Sequence, residues 1–248
     1  MRAINHLMIS SIMMIGAPSL VFACPHLEWG TPKQSDLVIC REGYALGYNY
    51  QLKAADWVAF KLEAQAAGAG VERKDQFAPD PDIPEEYQTT PEDYLEPIYQ
   101  QGHLASSESI DTTASASRET FYMSNLVPQL PTHNKGIWKG LENRERKYAN
   151  HRGVVYVYAG GLYQGELDYI GNQVPVPSHL WKVIFDPSTQ KALTYIIDHE
   201  PLYTRDLDKY LESVDELELK AGIDLLDVLP PAQQSVIEAH PEPKQWVK

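Results

Sequence analysis

The chain has 248 residues, 43% hydrophobic and 22% charged, with a formal charge of −13. This composition excludes a disordered chain and is sufficient for one sizeable core. The acidic balance argues, at first sight, against a protein that grips phosphate backbones through a general positive field.

In chain order, the first segment reads as a targeting peptide. Arg2 precedes an apolar stretch from Leu7 to Ala17, Pro18 breaks it, and Val21-Phe22-Ala23 suits a cleavage site. These features predict a secretory signal peptide over 1–23 and a mature domain over 24–248, periplasmic or extracellular. No other apolar run approaches the roughly 20 residues of a membrane span. Cys24 and Cys40 are the two cysteines. In an exported chain such a pair reads as one disulfide, worth on the order of 3 kcal/mol for a loop of this size. A lipidated Cys24 is the rival reading.

Leu37 to Glu63 reads as strands, Tyr44 to Tyr50 and then Trp57 to Leu62, separated by a polar turn. Lys74 to Pro97 carries Pro79, Pro81, Pro84, Pro91 and Pro97, which forbids regular ladders and predicts a long surface loop. A β-like run follows over Glu119 to Val127, then a helix from about Lys135 to Ala149 with Asn134 as its N-cap. Val154 to Tyr158, Leu180 to Phe185 and Ala192 to Ile197 are rich in β-branched and aromatic residues and predict further strands. Ser213, with Glu216 three residues on, predicts a capping box opening a helix over Val214 to Lys220. No proline linker divides two cores, so the expected fold is α+β, one mixed domain of several strands with helices on the faces.

Two windows could carry chemistry. In Gly102-His103 the glycine lets the backbone take a conformation, or approach a ligand, that a Cβ would block. On the helix, Trp138, Glu142 and Arg146 follow at i+4 steps on one stripe, while Ile137, Leu141 and Tyr148 form a stripe suited to the core. An amide, a carboxylate and a guanidinium at a positive helix end could position a metal and a phosphate. The alternative is a cap and an exposed Glu142–Arg146 pair. Lys135 to Arg152 holds six basic and two acidic residues, a local +4, whereas Asp198 to Lys248 carries −7. Such polarisation permits a cationic cleft on an acidic body. His133 could touch nucleic acid but suits a turn, and His151, His179, His199 and His240 show no metal-ligand spacing.

Together these segments resemble the DNA/RNA non-specific endonucleases, the ββα-metal group that includes endonuclease G and secreted bacterial nucleases. The resemblance rests on Cys40 to Tyr44, Trp57 to Phe60, Gly102 to Ala105, Phe121 to Gln129, Asn134 to Glu142, Val176 to Ile184 and Glu218 to Leu225, in the family's order. It implies a central antiparallel sheet with a ββα-metal motif, and Mg²⁺-dependent cleavage of DNA and RNA, with Mn²⁺ as a substitute. His103 matches the family's general base and Asn134 its one protein ligand to magnesium. Glu142 matches the residue that holds the metal's waters, and Arg146 and Arg73 match cations that neutralise phosphate. The family's Asp-Arg before Gly-His is Gln100-Gln101 here. The missing cation leaves open a protein that binds nucleic acid and cuts it weakly or not at all.

Overall fold

Side-chain alternation along the central strands dictates a sheet buried on both faces. In β3 (Ala54–Glu63), Val58, Phe60 and Leu62 join one hydrophobic cluster while Trp57 and Ala59 join the other. β6 (Val154–Leu162) repeats the pattern with Val155, Val157 and Ala159 against Tyr156 and Tyr158. Each face therefore needs a covering layer. The computed structural model describes residues 24–64 and 70–240; the predicted signal peptide lies outside them.

The first strands are β1 (Leu37–Cys40) and β2 (Ala45–Asn49), followed by β3 and β4 (Gln100–His103). Next come α1 (Ala114–Glu119), β5 (Leu126–Gln129), α2 (Pro131–His133), a π-helical segment (Asn134–Trp138) and α3 (Lys139–Arg152). The chain continues through β6, β7 (Tyr169–Ile170), β8 (Val174–Pro175), β9 (His179–Asp186), β10 (Lys191–Asp198) and β11 (Leu211–Glu212). It closes with α4 (Val214–Ala221) and α5 (Pro231–Glu238). The main sheet has the order β1-β2-β3-β6-β9-β10-β11 and is antiparallel throughout. Ile137, Trp138, Leu141 and Tyr148 cover one face; Val214, Leu217, Ile223 and Ile237 cover the other. The α+β expectation, with helices on both faces of a central antiparallel sheet, therefore holds.

Two local readings change and one holds. The run from Glu119 to Val127 is not one strand: α1 ends at Glu119, a 3-10 turn occupies Met123–Asn125, and β5 starts at Leu126. The buried Asn125 side chain forces this shape, because it accepts from Ala105 N–H and donates to the Ala105 and Thr120 carbonyls. The Pro-rich segment is the expected long loop, with no strand beyond a single bridge from Ala78 to Tyr122, and it is pinned to the body of the fold. Asp80, 1% exposed, accepts from the Arg41 guanidinium and the Ser124 hydroxyl. Ser213 does cap α4, accepting from Glu216 N–H at 3.1 Å, but the Glu216 carboxylate pairs with Lys220 at 2.7 Å. Cys24 and Cys40 are joined as a disulfide, Cα to Cα 5.9 Å, which occupies the sulfur that lipidation would need. No helix among the described residues is long and apolar enough to cross a membrane.

Candidate active site

The site is built on the paired strands β4 and β5 and the helix that follows them. Their register sets Gln100 opposite Gln129 and His103 opposite Leu126. A Cβ on Gly102 would stand 2.3 Å from the Gln129 side chain. The glycine before His103 is thus required by a close approach, not by a left-handed backbone. His103 is 8% exposed, its ring centroid 5.1 Å from that of Phe121 and 6.1 Å from that of Phe77. Trp138 Nε1 donates to the His103 carbonyl at 2.8 Å, tying the helix to β4. Burial, helped by the Arg73 guanidinium, pushes the imidazole down to about 3. His103 is therefore neutral near pH 7, and its buried Nε2 has no hydrogen-bond partner among the described residues.

Asn134 is not an N-cap. Pro131 opens the helix, its fixed φ suited to the first position. Asn134 has helical angles, φ −58° and ψ −52°, and its N–H donates to the Leu130 carbonyl at 2.9 Å. Its side chain is consequently released from capping, and its amide NH₂ donates to Gln100 Oε1 at 3.2 Å. Through this bond Gln100 fixes the amide and reserves Asn134 Oδ1 as an oxygen donor.

The same stretch is wound as a π-helix, with Lys139 N–H reaching back five residues to Asn134 O. The cause is an outside carbonyl: Ile137 N–H donates to Leu202 O at 3.2 Å. Gly136 makes room, since a Cβ there would lie 2.4 Å from that oxygen. Insertions of this kind widen the helical ladder locally and recur at functional sites.

Glu142 and Arg146 lie further along α3. Burial raises the Glu142 carboxyl to about 7, with the Lys182 ammonium opposing the shift. Behind it, the fully buried Lys182 and Glu145 pair at 2.6 Å, and Ser109 Oγ donates to Glu145 Oε1 at 2.8 Å. Ser109→Ala removes one hydrogen bond to this buried charge and should cost about 1.5–3 kcal/mol, read by urea unfolding. Arg146 is held beside the cleft by Ser106, by Ser109 at 3.2 Å and by Glu108 at 2.9 Å.

Arg73, His103, Asn134 and Glu142, four of the five residues singled out in the sequence, line one cleft of about 200 Å³. Arg146 does not line it; Glu108, which does, joins Arg146 to the wall. Gln101, Ser106, Ser107, Glu108, Lys135 and Lys139 complete the lining. Lys135 and Lys139 were countable as part of the basic stretch, but nothing in the sequence marked Glu108 or the two serines. The lining therefore carries Arg73, Lys135 and Lys139 against Glu108 and Glu142; Arg73 also pairs with Asp75 at 2.6 Å and Lys139 with Glu108 at 3.6 Å, so cations and carboxylates alternate along the cleft. His133, His179 and His199 turn elsewhere: His133 is buried near Trp138 and His199, and His179 pairs with Asp198 at 3.2 Å.

Two paired strands, the first ending in histidine, followed by a helix that brings an asparagine and a glutamate to the same cleft, are the ββα arrangement of a nuclease. Residues 25–232 match the family described as DNA/RNA non-specific endonuclease, and the chain belongs to that family of phosphodiester hydrolases. It is 31% identical to a nuclease of Nostoc sp., over 86% of this chain and 85% of that one. It is 27% identical to human mitochondrial endonuclease G, over 79% of this chain and 71% of that one. A solved structure of endonuclease G in complex with EndoGI superposes with a TM-score of 0.79 at 25% identity, covering 84% of this chain and 92% of the other.

Proposed function

We propose that the protein is an exported, Mg²⁺-dependent endonuclease that hydrolyses DNA and RNA with little sequence preference, with His103 as general base and Asn134 as metal ligand. The observation that carries this reading is the convergence of Arg73, His103, Asn134 and Glu142, from separated parts of the chain, on one cleft. The disulfide between Cys24 and Cys40 is in keeping with export.

The donor set suits magnesium. Asn134 offers a hard carbonyl oxygen, its NH₂ being taken by Gln100, and Mg²⁺ keeps most of its waters and needs few protein ligands. When bound there it supplies Lewis-acid neutralisation of the phosphate and the leaving oxygen. The protein's own residues do the rest. His103, neutral and with Nε2 unpartnered, takes the proton of the attacking water. Arg73, Lys135 and Lys139 balance the phosphate charge. Glu142 accepts hydrogen bonds from waters in the cleft, which it does best when ionised.

That assignment fixes a pH dependence. Burial pushes His103 below the ordinary imidazole range, so it is already neutral near pH 7, whereas Glu142, raised to about 7, titrates there. The rate should climb as pH rises towards 7, with the limb moved lower by a bound cation and flattened in Glu142→Gln. Stability runs the other way for this group: the raised carboxyl favours the fold below its unfolded value of 4.5, and that contribution fades as pH rises through about 7. Rate profiles on both proteins check the limb.

Gln101 lines the cleft where the family carries an arginine, which favours a second reading, a protein that binds nucleic acid without cutting it. One assay separates the two: supercoiled plasmid and RNA incubated with the mature protein, with Mg²⁺ or with chelator. Cleavage of both polymers in Mg²⁺ alone supports the nuclease; retention without cleavage supports the binder.

A further inference from the structure

On the sheet face away from the cleft, α4 and α5 bring three carboxylates together. Asp215 lies in the first turn of α4, Glu218 one turn further, and Glu238 at the end of α5. One oxygen from each lies within 4.8 Å of the other two. Glu238 is only 6% exposed, and its Oε1 is buried with no hydrogen-bond partner among the described residues. Among the described residues no lysine or arginine pairs with any of the three; Lys220, the basic residue in the last turn of α4, is taken by Glu216 at 2.7 Å. Asp224 adds a fourth negative charge to the surroundings of Glu218 and Glu238.

A buried, unpartnered carboxylate among like charges is costly unless something positive joins it. We propose that Asp215, Glu218 and Glu238 bind a Ca²⁺ ion that fastens α5 to α4. Ca²⁺ takes oxygen ligands at 2.3–2.6 Å, so oxygens on opposite sides of one ion stand about 5 Å apart. A mutual spacing within 4.8 Å fits that span. Mg²⁺, which prefers one or two carboxylates and retained water, fits a three-carboxylate set less well. Glu218 already has one oxygen fixed, since Leu225 N–H donates to Oε1 at 2.6 Å, which orients the carboxylate in advance. Asp215, being exposed, leaves room for waters to complete the shell. The site is separate from the nuclease cleft and shares no residue with it.

The test is calorimetric titration of chelator-treated Asn134→Ala protein with CaCl₂, so that the cleft's own ligand does not contribute, alongside melting curves with Ca²⁺ or chelator. The expected result is one Ca²⁺ per chain and a Tm that rises and saturates with Ca²⁺. Adding Asp215→Asn or Glu218→Gln should weaken binding roughly tenfold or more, because Ca²⁺ affinity follows ligand charge. Glu218→Gln keeps the acceptor for Leu225 and so guards against simple misfolding. In the otherwise unaltered protein, Asp215→Asn should leave cleavage in Mg²⁺ unchanged. A silent titration, equal affinity in the variants, or a melting curve raised by Glu238→Gln but indifferent to Ca²⁺ would overturn the proposal. The last result would mean that the carboxylates share protons instead of a cation.

Discussion

His103→Ala should cut DNA and RNA roughly 10²–10⁴-fold more slowly than the unaltered protein, the usual cost of losing a general base. It should still retain DNA, and that retention should weaken steeply with salt, because Arg73, Lys135 and Lys139 remain in the cleft. The variant carries a structural cost as well. The ring is buried and packs on Phe121 and Phe77, so removing it should lower stability within the common range of about 0.5–3 kcal/mol for single substitutions. Cleavage must therefore be compared at a temperature where circular dichroism finds both proteins folded. If the folded variant cuts as fast as the parent, the base lies elsewhere.

Asn134→Ala should be nearly as damaging, but through the metal. As the proposed protein ligand, Asn134 should cost more than the roughly 10–100-fold that an outer-shell partner costs. High Mg²⁺ should restore only part of the rate. Its effect on folding should be small, because the side chain caps nothing: Pro131 starts the helix three residues earlier and the amide bonds only Gln100 among the described residues. A large loss of Tm together with a normal rate would reverse the assignment.

The elements of the centre followed from local pattern. Alternating apolar residues in Trp57 to Leu62 and Val154 to Tyr158 require a sheet covered on both faces, and β3 and β6 are that sheet. The stripe of Ile137, Leu141 and Tyr148 turned out to be the core side of the helix. What local pattern misplaced depends on partners distant in sequence. Asn134 resembles a cap because asparagine favours that position, yet Leu202, 68 residues beyond Asn134, reshapes the turn through Ile137 and Gly136. The strand expected over Glu119 to Val127 is broken by Asn125, which bonds back to Ala105. Gln100 stood out as a departure from the family's motif, but its role in holding the amide shows only once β4 is set beside Asn134. Arg146 was recognisable as a cation, whereas Glu108, which holds it beside the cleft, carried no signal.

The most direct test of the central claim follows the attacking oxygen. DNA and RNA are digested with Mg²⁺ in ¹⁸O-labelled water, and the terminal phosphates of the products are weighed by mass spectrometry. Attack by a water that His103 deprotonates puts one ¹⁸O on the phosphate made at each cut, in both polymers alike. Unlabelled phosphates, or RNA ends closed as 2′,3′-cyclic phosphates, would contradict the account.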